Sequence, residues 1–468
     1  MLNSFAVTSE TGSKMRRKRT DQLTFDHVIP KSEIGKELLE ISRVLEENPQ
    51  IIEFAHRDLV GLKSAETGRL GMSAEQVIRC TILKHYRNLS YEELAFHLED
   101  SRSFRAFARL NRGQCPTDST LQENIGALSD ETWEQIHRVI VSYAASRGVE
   151  KGRKVRIDST AVETDIHHPT DSTLLQDGIR LITRYLAEGR SLRPQPTYHF
   201  SDHHRRVKRR VLEIQNTQKE KDRKAAYRDL LEIACQVRGY ALEAIPQLYG
   251  FESSEAGDVI YARNLAQALE RALSIFDRVI DQTRRRVLLG QKVAARDKIV
   301  SFFECHTDII EKGRRRTTYG HKVFFCGGPS GLILGCRIER GNPADSERFK
   351  VLLEGQKSLF GRMPRQVSAD GGFTSRANLA WAKGEGVRDV CFSKRRGFSV
   401  LEMVRSHWVF KKLRNFRAGI EANISRLKRA FGLSRCNWSG WAGFRQYVWS
   451  AVVAYNLSVL ARHQVAAA

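Results

Sequence analysis

The sequence predicts a chain of the α+β or α/β class: a helical N-terminal region, then a mixed-sheet core whose first strand is separated from the second by a large helical insertion. Three observations predict it. From about 34 to 147, apolar residues recur at the spacing of amphipathic helices. At 154–162 the pattern changes to alternation rich in β-branched residues, the mark of a strand. Helical patterning returns from about 171 to 298, and strand patterns resume only after 299.

Length and charge bound the rest. A chain of 468 residues exceeds one average domain, so two or three units are expected. Lys and Arg total 77 against 54 Asp and Glu, a net charge of +23, which speaks about partners rather than fold. Nucleic acid is the first candidate partner. The most apolar run, 448–460, is short and broken by Ser450, Tyr455, Asn456 and Ser458, so no membrane span is expected. The N-terminal residues lack the apolar core of a signal peptide, so the expectation is a cytoplasmic protein. The eight cysteines form no Cys-x-x-Cys pair and read as reduced thiols, with neither a zinc site nor a disulfide framework.

Taken in order, residues 1–33 read as a flexible tail with a basic cluster, Lys14-Met15-Arg16-Arg17-Lys18-Arg19. Residues 34–150 form the helical region. Ser73-x-x-Gln76 and Ser90-x-x-Glu93 look like capping boxes, and helices are expected at about 73–87, 91–98, 102–110 and 118–127. They carry Lys84, Arg87, Arg102, Arg105, Arg109 and Arg112, and short helices with tight turns and basic faces suit a helix-turn-helix reader of duplex DNA. A longer helix follows, with Trp133, Ile136, Ile140 and Tyr143 on one face.

The core is expected at 151–170 and 299–468, with the helical insertion at 171–298. Asp158 lies inside the first strand, where an acid is unusual unless a cation or a wet site faces it. The insertion reads as an antiparallel helix pair. Its segment 204–224 holds nine Lys or Arg against three acids and is either a solvated face or one laid along DNA. The His pairs 167/168 and 203/204 lack a ligand set and read as non-metal residues. Two strands flank the turn Gly327-Gly-Pro-Ser-Gly331 as a hairpin, preceded by a phosphate-contacting patch at Arg314, Arg315 and Arg316. A strand at 365–370 ends in Asp370 before Gly371-Gly372, and Ser375 caps the next helix. A strand at 387–392 precedes the helix 416–433, in which Ile420, Ile424, Leu427 and Phe431 form the apolar stripe and Gly432 the stop. At about 100° per residue, Arg417, Glu421 and Lys428 of that helix fall within about 40° of one another.

Asp158, Asp370 and Glu421 therefore stand on a strand, at a strand end and on a helix. Carboxylates are the ligands that Mg²⁺ prefers, and two such ions about 4 Å apart serve phosphodiester chemistry. Each acid by itself reads equally well as a surface group. Together the segments resemble the DDE transposases of bacterial insertion sequences. Ile157-Asp158-Ser159-Thr160 is similar to their first-Asp strand, and Ala369-Asp370-Gly371-Gly372-Phe373-x-Ser375 to their second-Asp turn. Arg417, Glu421 and Lys428 match the Arg, Glu and Lys of their Tyr-Arg-Glu-Lys signature, with Arg414 where its Tyr would be. Tyr319-Gly-His-Lys322, Gly341-Asn-Pro-Ala-Asp345 and the segment from Tyr91 also resemble family features, and the long helical stretch is similar to the ISNCY type.

The resemblance implies a ribonuclease H-like core in which Asp158, Asp370 and Glu421 hold two Mg²⁺ ions, with Mn²⁺ as a substitute. It implies cleavage at transposon ends and transfer of the 3′-hydroxyl to target DNA. Arg417 and Lys428 are then expected on the terminal phosphates. A homodimer is expected on paired ends of double-stranded DNA, in a bacterial, nucleoid-associated setting. Two other readings use the same residues: a nuclease or resolvase that cuts without joining, and a DNA-binding protein without catalysis.

Overall fold

Asn456 shows how the larger part of the chain is held together. Its side-chain amide accepts from the Ile333 N–H at 2.9 Å and donates to the Ile333 carbonyl at 2.8 Å, so a helix grips a strand at one backbone position. The structure, a computed structural model, describes residues 14–19, 27–61, 69–311 and 317–467. The predicted patch Arg314, Arg315 and Arg316 lies outside the described residues. The chain divides into two compact units, one made of 1–163 and 321–468, the other of 164–320.

The first unit opens with a short strand β1 (Lys14–Met15), helices α1 (Glu33–Glu47) and α2 (Gln50–Val60), and a strand β2 (Arg69–Leu70) parallel to β1. There follow α3 (Ala74–Tyr86), α4 (Tyr91–Asp100), α5 (Arg102–Ala108), α6 (Asp118–Gly126) and α7 (Asp130–Ser146). Both capping boxes form, Ser73 with Gln76 and Ser90 with Glu93, so the local start signals decide where α3 and α4 begin. The expected free basic face is corrected in part. Lys84 is buried, donates to the Leu89 carbonyl at 2.8 Å and lies 4.7 Å over the Tyr91 ring. Arg109 pairs with Glu75 and Glu46, and Arg105 donates to the Leu98 and Asn111 carbonyls. A cation inside a helical bundle is retained only when such partners satisfy it. Arg87, Arg102 and Arg112 are exposed.

β3 (Lys154–Thr164) is the first strand of the main sheet. The chain then enters the second unit, with α8 (Asp171–Arg190), α9 (His204–Asn216), α10 (Glu220–Tyr249) and α11 (Ala256–Thr283). The expected helix pair is thus corrected to four helices among the described residues. α8 and α10 pack together, with α9 and α11 each against both. Leu174, Ile182, Val211, Leu230, Leu269 and Phe276 lie in one buried apolar cluster. Gly178 is required there, because a Cβ would overlap the Phe276 ring. A short strand β4 (Asp308–Ile310) pairs antiparallel with the first residues of β5 (Thr318–Gly327).

From 321 the chain belongs to the first unit again. β5 forms the predicted hairpin with β6 (Ile333–Glu339), with a register shift at Cys326/Gly327. Then come α12 (Asp345–Phe360), β7 (Gln366–Ala369), α13 (Arg376–Gly384), β8 (Asp389–Phe392), α14 (Val400–Met403), α15 (His407–Ala430), β9 (Arg435–Cys436) and α16 (Gly440–Ala467). The sheet runs β5-β3-β7-β8, with β6 on β5 and β9 on β3, and the β3–β7 and β7–β8 pairs are parallel. Parallel strands are covered on both faces, and Val155, Arg156 and Ile157 of β3 are accordingly all buried.

Three helices of this unit lie outside the predicted order, α12, the one-turn α14 and α16. The apolar run 448–460 sits within α16, which packs on α1, α3 and α7 and is buried on every side. Its polar breaks are buried too: Ser450 bonds His85 at 2.8 Å, beside the Asn456 grip. α15 starts at His407, capped by Ser406, rather than at 416, and Gly432 at φ +76° follows its end. Among the described residues no helix is long and apolar enough to cross a membrane.

Candidate active site

The sheet register sets up the site. β3 and β7 pair in parallel with Ile157 opposite Ala369. The next residue on each strand is an aspartate, so Asp158 and Asp370 leave adjacent strands side by side. Asp158 continues β3 and accepts from the Ser159 N–H at 2.8 Å. Asp370 directly follows β7 and caps a tight turn at Gly371–Phe373.

α15 is fastened over these strand ends by the strands themselves. Ser368 of β7 donates to the Leu413 carbonyl at 2.9 Å. Arg156, the neighbour of Ile157 on β3, donates to the Phe416 carbonyl at 3.3 Å and to Asn423 at 3.5 Å, with its guanidinium 4.9 Å over the Phe416 ring. Gly419 allows this close approach, because a Cβ at that position would overlap the Arg156 guanidinium. The buried stripe Leu413, Ile420, Ile424 and Leu427 holds the inner face of the helix.

Docked this way, α15 places Arg417 among the three acids. Arg417 Nη1 stands 3.4 Å from Asp158 Oδ2 and 3.5 Å from Asp370 Oδ1, and Nη2 is 2.7 Å from Glu421 Oε1. The Asp158 and Arg417 side chains are 17% and 18% exposed, against 41% for Asp370 and 57% for Glu421. Burial raises the Asp370 pKa, but the Gly371 amide, the Ser393 hydroxyl at 3.0 Å, Arg417 and the Gly372 amide together bring it below the ordinary value. Asp370 is therefore held as the carboxylate at neutral pH.

Asp158 and Glu421 also open onto a cleft of about 450 Å³, lined by Ser159, Thr160, Ile424, Ser425, Lys428, Arg429 and Ser434 as well. The expected Lys428 is there, and its Nζ donates to the Ala161 carbonyl of β3 at 2.7 Å. Arg429 lines the same cleft, although it was not singled out in the sequence. Arg426 points elsewhere, against the Phe431 and Tyr455 rings and Ser458.

A second group borders the two aspartates. Lys322 Nζ lies 2.7 Å from Asp345 Oδ1, and that oxygen also accepts from the Ser159 hydroxyl at 3.0 Å. Asp345 also abuts Gly372, where a Cβ would overlap its carboxylate. The last residues of Tyr319-Gly-His-Lys322 and Gly341-Asn-Pro-Ala-Asp345 thus meet beside the residues that follow Asp158 and Asp370. The sequence signal was present in these two segments, but nothing in it linked them.

Among the described residues, no three His, Cys, Asp or Glu side chains are disposed to hold a metal ion as they stand; at this site the carboxylates converge on a guanidinium instead. The donors are nevertheless hard, partly solvated oxygens gathered around a cation, which is the chemistry that Mg²⁺ selects.

Comparison with known families agrees with this architecture. Residues 301–457 match the family model described as Transposase DDE domain, and residues 25–126 match the one described as Transposase domain (DUF772). Asp370, Arg417, Glu421 and Lys428 lie within the DDE match, and Asp158 lies between the two. No curated protein and no solved structure matches the chain. The mixed sheet with flanking helices is consistent with the ribonuclease H-like fold of such enzymes. With two transposase models matched in this order, the chain belongs to the DDE transposases typical of bacterial insertion sequences.

Proposed function

We propose that this transposase cleaves phosphodiester bonds at transposon ends and joins the resulting 3′-hydroxyl to target DNA, with Asp158, Asp370 and Glu421 as its catalytic carboxylates. In this reading 34–150 is the DNA-binding region, 151–170 and 299–468 the catalytic core, and 171–298 the insertion, within an ISNCY-like group. The observation that carries it is the gathering of three acids, far apart in sequence, around one cation at a cleft that Lys428 and Arg429 also line. Nothing local in the chain would bring them together.

The carboxylates would hold two Mg²⁺ ions, which when bound supply Lewis-acid activation of the attacking group and charge stabilisation at the leaving oxygen. The chain's own residues do the rest. The Gly371 and Gly372 amides and Ser393 keep Asp370 ionised and fixed in orientation. Arg156 and Gly419 set the height of α15 over the strand ends, and hence the reach of Glu421. Lys428 and Arg429 offer cations to a DNA phosphate in the cleft. A homodimer would act on two paired ends.

The test is a cleavage and strand-transfer assay on duplexes carrying the element's own termini, with Mg²⁺ or Mn²⁺. Wild type is expected to cut and join. Asp158→Asn, Asp370→Asn and Glu421→Gln are expected to bind DNA and do neither. Cutting without joining would move the protein to the nuclease reading, and equal activity of wild type and the three variants would remove these acids from the chemistry.

A further inference from the structure

The helix α9 carries charge that the candidate active site does not use. Its sequence, His-Arg-Arg-Val-Lys-Arg-Arg-Val-Leu-Glu-Ile-Gln-Asn, contains five Lys or Arg and one acid. The structure sorts those cations into two sets. Val207, Val211 and Ile214 are buried in the apolar cluster of the 164–320 unit. Arg206 and Arg210 flank that stripe and both pair with Asp229 of α10, while Arg210 also pairs with Glu213, the helix's one acid. His203, at the start of α9, stacks on Tyr240 of α10, with ring centroids 6.0 Å apart and planes 11° apart. One side of the helix is therefore anchored, and its local acids are engaged.

Arg205, Lys208 and Arg209 remain, all exposed and without an ion pair among the described residues. At 3.6 residues per turn they share an arc of about 100° with Leu212, which is 49% exposed. Just beyond the helix, Lys219, Lys221 and Arg223 are exposed as well. Three close cations whose neighbouring acids Glu213 and Asp229 pair with other residues repel one another and favour an anionic ligand. Their spacing along a helix face suits a row of phosphates.

We infer that the outward face of α9, formed by Arg205, Lys208, Arg209 and Leu212, is a duplex-DNA docking surface that grips backbone phosphates with residues distinct from those of the carboxylate site. The inference rests on the transposase reading for its choice of DNA as the polyanion. Arg206 and Arg210 are scaffold, not contacts, because Asp229 and Glu213 already pair with them. The surface reads no base sequence; its contribution is electrostatic and salt-dependent.

The experiment uses the full chain and a duplex of about 40 base pairs of arbitrary sequence, with binding followed from about 50 to 200 mM salt. The variant is Arg205→Gln, Lys208→Gln and Arg209→Gln together. Glutamine keeps helix propensity at exposed positions, and the helical circular-dichroism melt checks that the fold is intact. A control removes equal charge from the opposite flank of the same unit, with Arg263→Gln, Arg271→Gln and Arg278→Gln on α11. Loss of three phosphate contacts is expected to reduce the slope of log K against log salt by about 2.7, which across that salt range is about 40-fold in affinity. The control is expected to keep the wild-type slope. An α9 variant with the wild-type slope, or a control that loses as much as the α9 variant, overturns the surface while leaving the carboxylate site untouched. Failure of the wild type to bind any duplex overturns the DNA reading itself, and this surface with it.

Discussion

Replacing Arg417 with alanine removes the one cation shared by three carboxylates, and the cost follows from how each pair is exposed. The Glu421 pair is a solvated i,i+4 contact, worth about 0.3–0.5 kcal/mol. The Asp370 pair is half-exposed, which puts it at about 0.5–1 kcal/mol. The Asp158 pair is about four-fifths buried on both sides, so losing it strands a poorly solvated carboxylate. That costs about 1 kcal/mol, well short of the 3–5 kcal/mol seen for fully buried pairs. The metal-free variant is thus expected to be about 2 kcal/mol less stable, or about 4 °C lower in Tm for a unit of this size. The same carboxylates are then free for another cation. Mn²⁺ at about ten times its Kd stabilises the native state by about 1.4 kcal/mol, and it should do so at lower concentration in the variant, where no guanidinium competes. Differential scanning fluorimetry of Arg417→Ala and wild type, with and without Mn²⁺, reads both quantities. A variant with wild-type Tm would show that the guanidinium stabilises nothing. A Tm gap that Mn²⁺ leaves unchanged would falsify the idea that ion and guanidinium share one set of oxygens.

Three more outcomes are expected. The Asp370 pKa is lowered in the folded protein, so its contribution is complete above the ordinary carboxylate pKa and is lost as pH falls through the depressed value; urea denaturation from pH 7 to pH 3 should show stability falling less steeply for Asp370→Asn than for wild type. Gly419→Ala drives a methyl group into the Arg156 guanidinium and should cost about 1–3 kcal/mol, and a chemical melt of the double variant with Arg156→Ala should show a smaller added loss than the two single changes predict. Lys428→Ala should reduce strand transfer more than Arg426→Ala does, whereas Arg426→Ala should lower Tm more, since Arg426 packs on Phe431 and Tyr455 rather than lining the cleft; the reverse order in either measurement would misplace them.

What could be read in the chain was local. The boxes at Ser73 and Ser90, the hairpin around Gly327–Gly331, and the short motifs around Asp158, Asp370 and Glu421 each rest on residues close together in sequence. α16 escaped because a helix apolar on every side has no periodic stripe to detect. α12 escaped because its buried face, Phe349, Leu352, Leu353 and Gln356, is narrow and set among charges. Lys84 and Arg109 are not on a free basic face, because charge in a sequence does not reveal whether a partner such as Glu75, or the Leu89 carbonyl, will be within reach. The place of Arg417 was half legible. Helical geometry put it on the side of Glu421, but its contacts with Asp158 and Asp370 depend on Ile157 pairing with Ala369, a register that no local pattern encodes.

The division of β3 from its sheet partners also determines how the chain must fold. Between β3 and β5, neighbours in the sheet, the polypeptide passes through residues 165–317. The entropy of closing such an excursion grows only slowly, by about 0.6 kcal/mol for each doubling of length, so a long detour costs little more than a short one. The four helices within it follow one another in the chain and pack mainly on near neighbours, contacts of the kind that form fast. The parallel β3–β7 pairing must instead wait for distant segments to meet. Formation of that pairing is therefore expected to be the slow event, with the aspartate-bearing segments of β3 and β7 completed last.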